Sequence, residues 1–109
     1  MTFNEYQLKS RETAIFPDED NRFIYATLGM IGEAGEVAEK VKKVWRDKNK
    51  VVSELDREEI KKELGDVLWY MSQLALELGI DFDEIAITNI KKLASRHERQ
   101  VLHGQGDNR

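Results

Sequence analysis

The stretch Ile60-Lys61-Lys62-Glu63-Leu64-Gly65-Asp66-Val67-Leu68-Trp69-Tyr70-Met71-Ser72-Gln73-Leu74 decides the fold. Its apolar residues Ile60, Leu64, Val67, Met71 and Leu74, continued by Leu78, advance by threes and fours, the period of an amphipathic α-helix. Asp56, with Glu59 three positions on, predicts where this helix starts, and Gly79 predicts its C-cap. Upstream, Phe23, Met30, Ala34, Val37, Val41 and Val44 trace a second stripe. It predicts a helix over residues 22–48, opened by the capping residues at 18–21 and joined to the third helix through 49–55. A first helix over 3–15 has Thr2 as N-cap with Glu5 three on, a capping-box pattern, and ends at Phe16-Pro17-Asp18. A fourth opens at Asp81, with Glu84 three on, and fades after His97. No strand-like alternation competes. The expectation is an all-α chain, an antiparallel bundle of four helices, forming one domain over 1–103 with a disordered tail over 104–109.

The chain has 109 residues, the usual size of one domain, with 40% hydrophobic and 35% charged residues. A chain this short buries only about 60–70% of its unfolded surface. Leftover apolar stripes are therefore expected to meet a second copy, giving a homodimer or homotetramer. Seventeen basic residues against twenty-one acidic ones argue against a large face for nucleic-acid backbones. The absence of cysteine excludes disulfide scaffolds, Cys-zinc sites and thiol catalysis. No apolar run is long enough to span a membrane, and Met1-Thr2-Phe3-Asn4-Glu5 does not open a signal peptide, so the expected location is the cytoplasm.

The two long helices contain an echo: Glu33-Ala34-Gly35-Glu36-Val37 returns as Glu63-Leu64-Gly65-Asp66-Val67. At about 100° per residue, Glu33 and Glu36 lie roughly 60° and 120° to one side of their stripe, and Glu63 and Asp66 lie at the same offsets from theirs. Each pair is spaced i, i+3 and projects from one face. Antiparallel pairing puts all four acids along one side of the same seam, with Gly29 and Gly32 leaving room beside them. Carboxylates gathered this way must protonate or bind cations. As hard oxygen donors they suit Mg²⁺ or Mn²⁺, ions that bridge protein to substrate phosphates. The plain alternative is a set of solvated flank positions in a charge-rich protein. Glu39 falls nearly opposite the stripe and reads as surface. A di-iron carboxylate bundle would need Glu-x-x-His pairs, but Ala94 and Gln100 stand three residues before His97 and His103.

At these residues the chain resembles the MazG-like, all-α nucleoside triphosphate pyrophosphohydrolases, a superfamily that includes dimeric dUTPases, dCTPases and phosphoribosyl-ATP pyrophosphohydrolases. The hallmark E-x-x-E then E-x-x-D stands as Glu33-x-x-Glu36, 26 residues, then Glu63-x-x-Asp66. Asn89-x-x-Lys92-x-x-x-Arg96 is similar to the family's motif on the next helix. The resemblance implies that Glu33, Glu36, Glu63 and Asp66 hold Mg²⁺, with Mn²⁺ able to substitute. It also implies that a (d)NTP and water give the monophosphate and pyrophosphate, in dimers or tetramers with sites near subunit contacts. Glu36 is the carboxylate assigned to take the water's proton. Asn89, Lys92 and Arg96 lie within about 60° of one another on the fourth helix and suit phosphate oxygens. A solvated basic face at a helix C-terminus is the alternative. The chain carries one copy of the domain and lacks the insertions of the dimeric dUTPases, which leaves base preference open.

The nucleobase pocket stays unassigned. Phe3, Tyr6, Phe16, Trp45, Trp69 and Tyr70 are the stacking candidates. Tyr70 lies on the carboxylate side of the third helix, whereas Trp69 points away from the stripe, as an oligomer contact would. His97 reads as a packed or capping residue beside Ile90, Leu93 and Ala94, and His103 receives no role. Two further functions fit the same sequence: a non-catalytic oligomeric bundle that binds a protein partner, and phosphoribosyl-ATP hydrolysis.

Overall fold

The structure is a computed structural model that describes residues 1–17 and 20–109; Asp18 and Glu19, assigned above to helix end and cap, lie outside the described residues. It contains four α-helices and, among the described residues, no strand: α1 Phe3–Ser10, α2 Arg22–Asp47, α3 Glu54–Glu77 and α4 Phe82–Glu98.

The caps explain most of the boundaries. Thr2 Oγ1 accepts from the Glu5 backbone N–H and the Thr2 N–H donates back to Glu5 Oε2, both at 3.0 Å, completing the expected capping box. α1 is shorter than expected, tightening into a 3₁₀ turn at Arg11–Thr13. α3 begins earlier than the Asp56 cap predicts. Ser53 is the N-cap, and Asp56 is its N3 partner, bonding the Ser53 N–H at 2.9 Å while its own N–H reaches Ser53 Oγ at 3.1 Å. Ser53-x-x-Asp56 and Asp56-x-x-Glu59 offer the same spacing. Glu59 is instead drawn to Lys40 across the seam, at 2.8 Å. Gly79 ends α3 as expected, with φ +69° and with the Ile80 N–H returning to Ala75 O at 2.8 Å.

Asp81 precedes α4 but makes no side-chain cap bond. Residues of α1 cap that helix instead: Gln7 Oε1 accepts from the Phe82 N–H at 3.4 Å and Asn4 Oδ1 from the Asp83 N–H at 2.9 Å. α1 also docks on α3 through polar groups. Gln73 and Ser72 are fully buried, and Gln73 Nε2 donates to Ser10 Oγ at 2.8 Å. The Trp69 indole N–H donates to Ser10 O at 3.2 Å and Thr13 Oγ1 at 3.0 Å. Trp69 is thus tied to α1 and the following turn of its own chain and is half-buried.

α2 lies antiparallel on α3 and makes no comparable contact with α1 or α4. Among the half-buried and buried residues of α2, Ala26, Met30, Glu33, Val37, Lys40 and Val44 follow a heptad-like register against Ile60, Glu63, Val67, Tyr70 and Leu74 of α3. The seam is therefore rotated from the expected stripes. Ala34, Val41 and Leu64 face outward, and Glu33 and Glu63 occupy seam positions that apolar residues would otherwise fill. The radius of gyration is 16.8 Å, against about 13 Å for a compact chain of about 100 residues. Large apolar side chains stand in the open, among them Leu28, Ile31, Leu64 and Ile90.

Residues 104–109 turn back towards the end of α4, where Arg96 donates to Asp107 O at 2.7 Å and the C-cap Arg99 to Arg109 O at 2.8 Å, while Arg109 donates to Val101 O at 3.2 Å, Leu102 O at 2.9 Å and Gly106 O. Cationic side chains on α4 and in the tail supply partners that a composition rich in Gly does not reveal.

Candidate metal centre

The α2–α3 register places the acids. Gly29 meets Tyr70, and Lys40 meets Glu59 and Glu63; in that antiparallel alignment Glu33 stands level with Asp66. Glu33, Glu63 and Asp66 each offer a carboxylate oxygen, all within 4.8 Å of one another. Glu33 and Glu63 are half-buried and Asp66 is exposed, so the cluster is open on one side.

Burial, reinforced by the charges of Asp66, Glu63 and Glu36, pushes the Glu33 carboxyl above its ordinary range. Tyr6 and Tyr70 are raised as well. Burial is the main cause for both; Asp66 adds to Tyr6, while Tyr25, Glu33 and Asp66 add to Tyr70. The negative potential therefore reaches the phenols on either side. A group of hard oxygen donors that cannot comfortably hold all its charges fits a divalent cation.

Glu36, one turn along α2, is exposed and lies outside the group of three, although its charge still acts on Glu33. Glu39 is occupied by Lys42 at 2.7 Å and Lys43 at 3.7 Å, as a surface residue would be.

Of the two glycines expected to leave space, only Gly32 does: a Cβ there would meet nothing within 4 Å. At Gly29 the space belongs to Tyr70, whose Cε1 would lie 2.2 Å from an added Cβ. The ring leans across α2 and joins Tyr25, Trp69 and Phe16, with centroid separations of 6.4 Å for Tyr25–Tyr70, 5.0 Å for Trp69–Tyr70 and 6.3 Å for Phe16–Trp69. Arg11 and Arg22 flank Phe16, each 5.8 Å from its centroid. Tyr25 and Arg22 belong to this wall, and helical spacing gave no sign of either because the wall forms across three segments.

Among the described residues, Lys92 and Arg96 form ion pairs with Asp107 and none with Glu33, Glu36, Glu63 or Asp66. Asn89 lines an apolar cavity of about 230 Å³ with Phe3, Leu68, Met71, Phe82 and Ile85. Leu68 and Met71 sit about 200° and 140° around α3 from Asp66, so α4 packs on the far side of that helix. Lys92 pairs with Asp107 Oδ1 at 3.2 Å. Arg96, only 4% exposed, donates to Asp107 O at 2.7 Å and to its Oδ1 at 3.3 Å. Those two cations, Lys92 first, hold the Asp107 carboxyl below its ordinary value. His97, read above as a packed or capping residue, is exposed.

Residues 25–101 match the MazG nucleotide pyrophosphohydrolase domain. The chain belongs to that family. Its acidic cluster and its polar α4 both fall within the matched region, and the all-helical architecture agrees with the family's fold. The chain is also 44% identical over 109 residues to "Gene 37 protein" of Mycobacterium phage L5, covering 95% of this chain and 96% of the phage protein. No solved structure matches. Members of the family act on nucleotides, and none of the four helices is long and apolar enough to cross a membrane.

Proposed function

We propose that this protein is a Mg²⁺-dependent nucleoside triphosphate pyrophosphohydrolase, converting a (d)NTP and water to the (d)NMP and pyrophosphate. The observation that carries the reading is the convergence of Glu33, Glu63 and Asp66 from two helices in a chain of the MazG family. Those three residues would hold the cation, for which Mn²⁺ can substitute, with Glu36 completing the set or working beside it. When bound, the ion supplies charge screening for the triphosphate and acidifies water.

The chain's own groups do the rest. Glu36 lies outside the tight cluster and remains open to solvent, which suits it to accept the proton of the attacking water. Open space at Gly32 admits the polyphosphate beside Glu33. Asn89, Lys92 and Arg96 bind phosphate oxygens. Since α4 packs away from the carboxylates of its own chain, a second copy delivers them, in a homodimer or homotetramer. The exposed apolar residues Leu28, Ile31 and Ile90 support that assembly, because a free chain would leave them in water. Substrate is a free nucleotide, nucleic acid and membrane are not partners, and the protein works in the cytoplasm.

Glu36→Gln tests the assignment. The expected result is loss of turnover with helicity retained. Wild-type turnover in that variant overturns the role of Glu36.

A further inference from the structure

The carboxylate cluster already has a cation at its edge. Lys40 lies one turn beyond Glu36 on α2, with its side chain 28% exposed. Its Nζ is 2.8 Å from Glu59 Oε2 and 3.4 Å from Glu63 Oε1. Glu59 and Glu63 are spaced i, i+4 on α3, so the ammonium bridges two stacked carboxylates. Glu63 belongs to the cluster and Glu59 does not. Among the described residues, no other basic side chain forms an ion pair within 4 Å of Glu33, Glu63 or Asp66.

Two consequences follow from that geometry. A divalent ion entering the cluster competes with Lys40 for Glu63. When Glu63 turns to the ion, Lys40 stays tethered by Glu59, with its charge at the rim of the site and one carboxylate partner fewer. Lysine suits such an exchange, as a compact charge on a flexible stem with three rotatable donors. An anion arriving on the metal would meet that ammonium directly.

We propose that Lys40 is a place-holder and positioning residue: it neutralises Glu63 in the metal-free protein and passes to a phosphate oxygen of the polyphosphate when the metal is loaded. The proposal rests on reading Glu33, Glu63 and Asp66 as the metal site. It adds to that reading a residue that positions a phosphate oxygen at the edge of the site, next to Glu63. A plain cross-helix ion pair is the structural alternative.

The test uses full-length Lys40→Met and Lys40→Arg, with Mn²⁺ binding followed by electron paramagnetic resonance in the absence of nucleotide and binding of inorganic pyrophosphate measured with Mn²⁺ present. Lys40→Met is expected to bind Mn²⁺ about 2–5-fold more tightly, as loss of a partly exposed competing ion pair implies. Its pyrophosphate affinity should weaken roughly tenfold, the scale of one lost charge-assisted hydrogen bond. Lys40→Arg, which keeps the cross-helix pair, is expected to restore both values towards wild type. Opposite movements of the two affinities are the signature, and a merely structural role does not produce them. Both affinities unchanged within twofold, or both weakened together, overturns the proposal. Absence of Mn²⁺ binding in the wild type overturns the metal site itself, and this assignment with it.

Discussion

In Glu33→Gln, one of three carboxylates gathered within 4.8 Å loses its charge and keeps its shape. Two unit charges at that distance repel by about 1 kcal/mol in water and by about 3.5 kcal/mol at an effective dielectric of about 20. Asp66 is exposed and Lys40 already offsets part of the charge on Glu63, so the lower value governs. Relief of about 1–2 kcal/mol is expected in the metal-free protein. For a chain near 100 residues that raises Tm by about 5–10 °C. Mg²⁺ reverses the order. Wild-type protein at about 100 times its Kd gains about 2.7 kcal/mol from binding, and the variant forfeits most of that. The assay is thermal unfolding by circular dichroism at fixed protein concentration, with EDTA and with millimolar Mg²⁺. The variant should melt above wild type in EDTA and below it in Mg²⁺. A lower Tm in EDTA would refute the repulsion argument. A wild-type chain indifferent to Mg²⁺ would refute the metal site and favour a non-catalytic bundle.

Other consequences can be checked separately. Gly29→Ala forces a Cβ against Tyr70; overpacking of about 1–3 kcal/mol, less about 1 kcal/mol of helix propensity, gives a net loss of about 0–2 kcal/mol by urea denaturation. In a Tyr70→Ala background the same change should become stabilising, and persistence of the loss would contradict the contact. The pH dependence has a worked sign. The native Glu33 carboxyl titrates above its ordinary 4.5, so its contribution to metal-free stability is present below that value and is lost as pH rises through the native one. Asp56, held at about 2 chiefly by Lys48 and then by Ser53, contributes above 3.8 and loses its effect as pH falls towards 2. Metal-free stability should therefore climb as pH drops from neutral towards 4.5, and Glu33→Gln should flatten the climb. Asp107→Asn removes the carboxylate that pairs with Lys92, while Arg96 keeps its bond to the Asp107 backbone carbonyl, and should lower KM about twofold; an unchanged KM would detach Lys92 from the substrate.

Local signals in the sequence carried furthest. The Thr2–Glu5 box and the Gly79 cap depend on neighbours three or four residues away, and both stand where the spacing put them. Asp56 was misread because two overlapping capping patterns share a spacing, and only the distant Lys40 breaks the tie. The seam phase failed for a similar reason. Hydrophobicity marks residues that avoid water, without saying which neighbour covers them. Ala34, Val41 and Leu64 carry the stripe but face outward, whereas Glu33, Lys40 and Glu63 fill the seam as a charged set. The acidic pairs were visible as an echo, and three of their four members do come together. The separation of Asn89, Lys92 and Arg96 from them was not visible, because it depends on which side of α3 the last helix takes. The burial of Arg96 under residues 106–107 likewise depends on a chain reversal that no periodicity encodes.

Pyrophosphate release from all common NTPs and dNTPs, measured with Mg²⁺ and with EDTA, tests the central claim most directly. The account predicts metal-dependent pyrophosphate in equal amount with the matching monophosphate for at least one nucleotide. Orthophosphate with the diphosphate, or release that persists in EDTA, would contradict it.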